Sequence, residues 1–215
     1  MKKVILLLFG ICLVISSQAQ QDDAEYTRVL TERSEKIVKT LGIEDAEVYQ
    51  RVTEIMVQQY KNLGLIHDGY DTDLKVVKAS EMTKEEKEAA TTKLTLERDQ
   101  KLYNLHCAYI GSLSSELNEE QVIRVKDGMT FGVVKVTYDS YCDMIPTLKE
   151  DEKRQLMAWL VEAREHAMDA PSSKAKHEWF GKYKGRFNNY LSKQGYDIQK
   201  ERTEWNKRLE EAKKK

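Results

Sequence analysis

The stretch that decides the fold class is TKEEKEAATTKLTLERDQKLYNLHCAYIGSL, residues 83–113. It opens on a capping box, in which the amide of Glu86 donates to the Thr83 hydroxyl and the amide of Thr83 donates to the Glu86 carboxylate. The stretch has no proline, and Gly111 is its single glycine. Its apolar residues recur at helical spacing, as Leu94, Leu102, Leu105, Tyr109 and Leu113. Because this pattern gives a helix one apolar face, the stretch predicts a long amphipathic helix.

Helical periodicity continues on both sides of this stretch. Apolar faces with the same spacing are formed by Tyr26, Val29, Leu30, Ile37 and Leu41, by Val48, Val52, Ile55, Met56 and Leu63, and by Leu156, Trp159, Leu160, Ala163 and Ala167. Two more helices are predicted over residues 174–193 and from residue 198 onward, with Trp205 and Leu209 as inward anchors of the second. The sequence therefore predicts an all-α fold built as a single multi-helix domain.

Two segments depart from the helical pattern. Residues 64–73 contain two glycines, one histidine and three aspartates, a composition that favours turns, and they are predicted to form a loop. Residues 129–137 are rich in β-branched side chains, and Gly128 and Gly132 interrupt any helix there. We expect this second segment to be extended or irregular and to cross the domain between helices without a partner strand.

The first 19 residues have the organisation of a signal peptide. Lys2 and Lys3 precede an apolar run from Val4 to Ile15, and Ala19 ends a small-x-small cleavage signal. The run is shorter than the ~20 residues of a membrane span, and no later stretch approaches that length. Cleavage after Ala19 leaves residues 20–215, which we expect to form a single soluble domain in the periplasm or outside the cell.

Two cysteines, Cys107 and Cys142, remain after this cleavage. Outside the cytoplasm they can oxidise to a disulfide. A domain of this size can also fold around two buried free thiols. The sequence leaves both alternatives open.

Charge is unevenly distributed along the chain. Residues 174–215, predicted as a basic C-terminal helical hairpin, hold 13 Lys and Arg against 6 Asp and Glu, a net charge of +7. Residues 20–173 hold 20 against 30, a net charge of −10. The hairpin can therefore serve as a surface for acidic partners or dock against the acidic remainder of the chain.

The first helix of this hairpin carries the pattern most typical of ligand binding, an aromatic edge beside a polar stripe. The candidate ligand-binding residues on it and on the preceding helix are His166, His177, Trp179, Lys182, Tyr183, Arg186, Asn189 and Tyr190. Aromatic rings stack on the apolar faces of pyranoses, while amides and cations bind hydroxyls or the carboxylate of a uronic acid. The alternative is that the aromatic side chains belong to the core and the cations to a solvated face.

Other motifs are weaker. Glu162, His166 and Asp169 follow one another at i, i+4 and i+7, the spacing of an acid/base or metal group on one helix flank. The aspartates of residues 68–73 lack the ligand order of an EF-hand and predict a polar turn better than a calcium site. No metal site, cofactor or hydrolase motif is predicted. Export argues against nucleic acid as a partner of the basic aromatic helix.

The segments WLVEAREHAMDA, residues 159–170, and KHEWFGKYKGR, residues 176–186, resemble a family of secreted Bacteroidota proteins catalogued as a domain of unknown function. VKDGMT at residues 125–130 and MIP at residues 144–146 are similar to the same family. The resemblance covers most of the mature chain. It implies sugar binding and an association with genes for plant polysaccharide breakdown, pectin included, and it supplies no catalytic residues. Lys135 departs from the family pattern, in which we expect proline.

Three hypotheses remain. The first is a binding or accessory protein for a plant-type polysaccharide or oligosaccharide, with residues 179–190 as its contact surface. The second is a lyase or hydrolase of uronic acid-containing glycans. The residues for that chemistry are His166 or His177 with Tyr138, Tyr141 and Arg186. The third is a helical periplasmic protein that binds other proteins in the manner of a chaperone. The sequence does not define whether the protein is an enzyme, nor its oligomeric state.

Overall fold

The structure, a computed structural model, describes residues 23–214, and within them the chain forms eight α-helices and no strand. The helices are α1 (residues 23–38), α2 (Ala46–Ala79), α3 (Lys84–Glu116), α4 (Glu119–Met129), α5 (Val133–Met144), α6 (Glu150–Met168), α7 (Ser173–Lys193) and α8 (Ile198–Lys213). A 3₁₀ turn, Lys39–Leu41, extends α1. The all-α prediction is confirmed. The predicted signal peptide lies outside the described residues.

None of the described helices combines the length and the apolar composition that crossing a membrane requires.

The α2–α3 hairpin joins two helices of 34 and 33 residues, each ~50 Å long at ~1.5 Å per residue. The predicted capping box starts α3: the Glu86 amide lies 3.2 Å from the Thr83 hydroxyl, and the Thr83 amide lies 2.8 Å from the Glu86 carboxylate. The hairpin packs on the other helices through its base, where Val52, Met56 and Leu113 are buried. Within residues 64–108 no side chain is fully buried, so the outer half forms an arm.

The predicted loop over residues 64–73 is wrong, because this segment lies inside α2. Gly64 lies close to α1, since a Cβ at this position would be 3.2 Å from the Tyr26 hydroxyl. Further along, Tyr70 packs on α3, with its hydroxyl 3.2 Å from the Thr95 hydroxyl and the Arg98 guanidinium 4.4 Å from its ring centre. Contacts to α1 and α3 thus outweigh the turn propensity of the glycines and aspartates.

The segment at residues 129–137, predicted to be extended or irregular, is irregular at residues 130–132 and helical in the remainder. Phe131 and Gly132 have φ angles of 61° and 65°, so the chain makes one tight left-handed turn and then enters α5. For a bulky residue such as Phe131 this backbone conformation costs ~1–3 kcal/mol. In α5, Val134, Thr137 and Tyr141 are buried at helical spacing. The β-branched side chains are therefore one buried face of a short helix.

The core consists of two hydrophobic clusters joined by α6. The first is formed by α5, α6 and α7, with Leu160, Phe180 and Phe187 at its centre. The second is formed by α1 to α4. Met168, at the end of α6, belongs to this second cluster, so α6 connects the two.

Helix α8 docks on the end of α5 through polar contacts. The Trp205 indole donates to the Asp143 carboxylate at 2.6 Å, and the Arg208 guanidinium donates to the Asp143 carbonyl at 2.7 Å. Leu209 is 39% exposed, so its prediction as an inward anchor is wrong. Within residues 23–214, Arg186 is the one cation of the C-terminal hairpin that pairs with a carboxylate of the preceding helices. Most of the positive charge of the hairpin therefore remains on the surface.

Both described cysteines are free thiols. Cys107 is exposed on α3, and Cys142 is partly exposed on α5. The structure therefore contains neither the disulfide nor two fully buried thiols.

Candidate functional site

The structure gathers most of the predicted ligand-binding residues on one surface, which we call the α6–α7 face. Trp159, Glu162 and His166 of α6 and Trp179, Lys182, Arg186 and Tyr190 of α7 form this face. The two helices are held together beneath it by Ala163, Phe180 and Phe187, all at most 1% exposed. Because a packed core positions both helices, the face is a fixed surface.

Trp179 anchors one end of the face. The His166 ring stacks on it, with ring centres 4.5 Å apart and planes 15° apart. The Lys182 ammonium lies 4.2 Å from the same indole. Both neighbours are exposed side chains, and the indole is half-buried between them. This end therefore combines an aromatic surface with two groups that can bind hydroxyls or acids.

Arg186 dominates the other end. Its guanidinium lies 4.4 Å from the centre of the Trp159 ring, which in turn meets Tyr190 edge-on at 5.6 Å. The guanidinium also pairs with the Glu162 carboxylate at 3.5 Å. The Arg186 side chain remains 53% exposed, so part of its donor fork faces solvent.

Tyr183 lies beneath the face. It is 9% exposed, and burial raises the pKa of its hydroxyl to about 12, with a hydrogen bond to Glu162 adding to the rise. Tyr183 therefore supports Glu162 and does not present its ring to a ligand.

The remaining predicted residues lie apart or at the margin. Asn189 is exposed one turn beyond Arg186. His177, at the start of α7, stacks on Phe131 with ring centres 5.3 Å apart and belongs to a different surface.

The structure does not bring together the residues that the sequence suggested for catalysis. Glu162 and His166 lie on the α6–α7 face, whereas the Asp169 carboxylate is bonded to His106 of α3. The Tyr141 hydroxyl donates to the Asn188 amide oxygen at 2.7 Å. No contact among residues 23–214 joins the two candidate histidines to Tyr138 or Tyr141, nor does a cluster of metal-ligating side chains occur there. The weak i, i+4, i+7 pattern of residues 162–169 therefore does not form a joined acid/base group.

A family comparison covers nearly the whole described chain. The pattern of the family described as "Protein of unknown function (DUF3826)" matches residues 27–211. The chain belongs to the DUF3826 family. The match runs from α1 into the last turns of α8, so the α6–α7 face lies within the DUF3826 domain. No curated protein sequence matches the chain.

The DUF3826 domain also contains an ionic cluster that the sequence did not reveal, and we call it the His106 clamp. His106 Nδ1 lies 2.9 Å from the Asp169 carboxylate, and its Nε2 lies 3.4 Å from the Glu165 carboxylate. Lys126 of α4 donates to Glu165 at 2.7 Å. Arg164 donates to Asp127 at 2.9 Å. The clamp therefore ties α3, α4 and α6 together.

The clamp shifts the pKa values of its members. Hydrogen bonds with Asp169 and then Glu165 raise the pKa of His106 to about 9. Burial pushes the pKa of Glu165 up, but its bonds with His106 and Lys126 outweigh this and lower it to about 2. At neutral pH the imidazole is protonated and both ring nitrogens donate, so His106 has no free base nitrogen. The arrangement is that of an ion-pair network that holds helices together.

Sequence reasoning missed the clamp because its members lie far apart in the chain. His106 and Asp169 are 63 residues apart, and Lys126 and Glu165 are 39 apart. The local signal consists of two carboxylates four residues apart on α6, which is common on solvated helices.

Proposed function

We propose that the protein is an exported carbohydrate-binding or accessory protein of polysaccharide use, and that the α6–α7 face is its contact surface. The observation that supports this proposal is the contiguous row of indole rings, cations and one carboxylate from Trp179 to Tyr190. Indole rings cover the apolar faces of sugar rings, and the charged groups bond hydroxyls. A sugar requires both kinds of contact at once.

The charge of the surface favours acidic glycans over neutral ones. Most cations of the C-terminal hairpin have no carboxylate partner on the preceding helices described, so the hairpin presents a positive field. Arg186 is held by Trp159 and Glu162 before any ligand arrives. A guanidinium that is already oriented loses little conformational freedom when it binds a carboxylate through two parallel hydrogen bonds.

The rings of the face are covered by movable side chains. Lys182 lies over Trp179, and an exposed cation–π contact of this kind is worth ~0.5–1 kcal/mol. A sugar that stacks on the indole displaces or joins the lysine at that modest cost. Trp179 is therefore the ring we assign to stacking.

The decisive experiment is a glycan array with residues 20–215, followed by calorimetry on the strongest acidic and neutral hits. Trp179→Ala should weaken both classes by roughly tenfold, the loss of one aromatic contact. Tyr103→Ala is the matched control, because this exposed aromatic lies on the α2–α3 arm far along the chain from the face. Equal losses of affinity in the two variants, or an array on which no glycan binds, would exclude the α6–α7 face as the glycan-binding surface.

Export itself is part of the proposal, supported by the signal-peptide pattern of residues 1–19. Expression of the full chain in a Gram-negative host, followed by cell fractionation and mass spectrometry, tests it. We expect a periplasmic or secreted product that begins at Gln20. A full-length cytoplasmic product would refute export and leave the binding proposal to be judged by calorimetry.

A second candidate function is the binding of other proteins, and the α2–α3 arm favours it. Five large apolar side chains of the arm are exposed, Leu65, Val76, Met82, Leu96 and Tyr103. Exposed apolar groups on a projecting hairpin are typical of surfaces that bind non-native chains. An assay of the suppression of citrate synthase aggregation tests this function. A combined Val76→Gln and Leu96→Gln variant should lose suppression, while Trp179→Ala should retain it.

A further inference from the structure

A concave site that shares no residue with the proposed sugar surface lies at the start of α7. It is a cleft of about 530 Å³ between α1, α2, the α4–α5 turn and the α6–α7 turn. This volume falls in the range of ~300–1,000 Å³ typical of small-molecule sites. We call it the α1–α2 cleft. Its chemistry is set by Arg33, Lys36, Lys176, Tyr26, Tyr60 and Phe131.

The walls of the cleft are fixed by close helix packing. A Cβ on Gly128 would lie 2.7 Å from Cγ2 of Ile37. The approach of α4 to α1 is therefore closer than a residue other than glycine at position 128 would allow. Gly64 is less tight, because a Cβ there would lie 3.2 Å from the Tyr26 hydroxyl. The cleft is therefore preformed by the backbone of three helices.

Positive charge in the cleft is not neutralised by protein carboxylates. Within residues 23–214, Arg33, Lys36 and Lys176 have no carboxylate within salt-bridge distance. Arg28, one and a half turns earlier on α1, pairs with Glu25 and Glu32. Asp68 is the one carboxylate that lines the cleft. Three cations against one carboxylate leave the site suited to an anion.

Lys176 is the buried member of this group. Its ammonium donates to the carbonyls of Ala167 and Met168 at 3.1 and 2.9 Å, which leaves one N–H free. Burial lowers the pKa of Lys176 to about 8, with Asp169 opposing the fall and the nearby Arg33 adding to it. An anion between Lys176 and Arg33 would relieve this repulsion.

The rim of the cleft carries a strained aromatic residue. Phe131 is the one non-glycine with positive φ in the described chain, and its ring is 55% exposed beside His177. Strained residues persist where the surrounding structure or a function requires them. This strained residue places an aromatic ring in the lining of the cleft, which also contains Tyr60, whose ring centre lies 5.4 Å from the Arg33 guanidinium.

We propose that the α1–α2 cleft binds a small organic anion, a carboxylate carried on a ring. The carboxylate lies between Arg33, Lys36 and Lys176, because none of these cations pairs with a carboxylate among the described residues. The ring lies between Tyr60 and Phe131, which supply flat apolar surfaces. This site does not depend on the α6–α7 face, since no residue of that face lines the cleft.

The test is calorimetry on residues 20–215 with five probes: benzoate, glucuronate, acetate, benzamide and glucose. We expect at least one of the two ring carboxylates to bind, with acetate and the neutral rings at least about tenfold weaker. Arg33→Gln and Lys36→Gln should each reduce that affinity by about tenfold to a hundredfold, the loss of one charge-assisted contact. Both residues are exposed on α1, so the variants should fold.

Two controls separate this site from the rest of the surface. Arg28→Gln removes a cation of the same helix that is already paired, and it should leave benzoate and glucuronate binding unchanged. Trp179→Ala should also leave it unchanged, whatever it does to glycan binding. The proposal is overturned if neither ring carboxylate binds below about 10 mM, if acetate binds equally well, or if Arg28→Gln weakens binding as much as Arg33→Gln.

Discussion

The His106 clamp makes the stability of the domain depend on pH in a defined direction. The folded-state pKa of His106 is raised to about 9 from an ordinary value of 6.5. A group whose pKa is raised on folding contributes its full stabilisation below its unfolded pKa and loses it as pH rises through its folded pKa. The contribution of His106 is therefore complete below about pH 6.5 and disappears between there and about pH 9.

Glu165 sets the acid limit of the same cluster. Its pKa is lowered to about 2 from 4.5, so its contribution is present above about pH 4.5 and is lost as pH falls towards 2. The clamp is therefore strongest between about pH 4.5 and 6.5.

The size of the effect follows from the His106 pKa. The difference between 9 and 6.5, at ~1.4 kcal/mol per pH unit, corresponds to roughly 3 kcal/mol. The His106 side chain is 20% exposed and shares its partners with Lys126, so we discount this to about 2 kcal/mol. For a domain of this size, 2 kcal/mol corresponds to roughly 4–8 °C in melting temperature.

The perturbation is His106→Gln, assayed by urea unfolding of both proteins from pH 5 to pH 10. At pH 6 the variant should be about 2 kcal/mol less stable, because Glu165 and Asp169 then face each other without the imidazolium. At pH 10 the difference in the free energy of unfolding between the two proteins should be smaller, since the wild-type imidazole is neutral at that pH. His177→Gln is the control, because this histidine stacks on Phe131 outside the clamp. A wild-type to His106→Gln difference that stays constant from pH 6 to pH 10 would refute the reasoning.

Three further predictions test packing and the proposed face. Gly128→Ala should destabilise the domain by about 1–3 kcal/mol in urea unfolding, because the added Cβ would lie 2.7 Å from Ile37. Gly181→Ala is the control and should not destabilise the domain, because a Cβ at that position would have no atom within 4 Å. Arg186→Lys should lower the affinity for an acidic glycan, measured by calorimetry, by about tenfold to a hundredfold without lowering the melting temperature. Arg202→Lys is the control and should leave this affinity unchanged. Dithiothreitol should leave the melting temperature unchanged, since both cysteines are free, and a fall of several degrees would indicate a disulfide.

The start of α3 was the part of the fold that the sequence predicted in most detail. Thr83 and Asn118 each accept the amide of the third helical residue, and each receives the reciprocal bond through its own amide. Such caps involve residues three positions apart, so the chemistry that forms them is visible in a short stretch of sequence. The predicted start of α3 follows directly from it, and the structure shows that α4 begins with the same kind of box at Asn118.

Residues 64–73 and 133–137 were predicted to be non-helical and are helical, and the two errors share a physical cause. The glycines of residues 64–73 and the β-branched residues of α5 have weak intrinsic preferences, of ~1 kcal/mol or less each. Packing against α1, α3 and α6 outweighs preferences of that size. These contacts join residues that are distant in sequence, such as Gly64 with Tyr26, and local pattern cannot indicate them.

Asp169 shows why a spacing argument failed at the candidate site. Asp169, the C-cap of α6, lies three residues after His166 but also four residues after Glu165. Its carboxylate bonds His106 of α3, which Glu165 also contacts. Spacing shows which side chains can share a helix flank, but a contact with another helix is not visible in a local pattern.

The turn between α6 and α7 is fixed from three directions, and this gives both proposed sites a rigid frame. Lys176 of α7 donates to the last carbonyls of α6, and the His67 ring of α2 donates to the Asp169 carbonyl at 2.7 Å. His106 of α3 holds the Asp169 carboxylate. These bonds satisfy carbonyls that a helix end otherwise leaves without donors. Since the turn sets the direction in which α7 leaves α6, it determines where the rings of the α6–α7 face meet and where the cations of the α1–α2 cleft converge. Binding at either site therefore requires little reorganisation of the backbone, and the affinity of each depends on the side chains that line it.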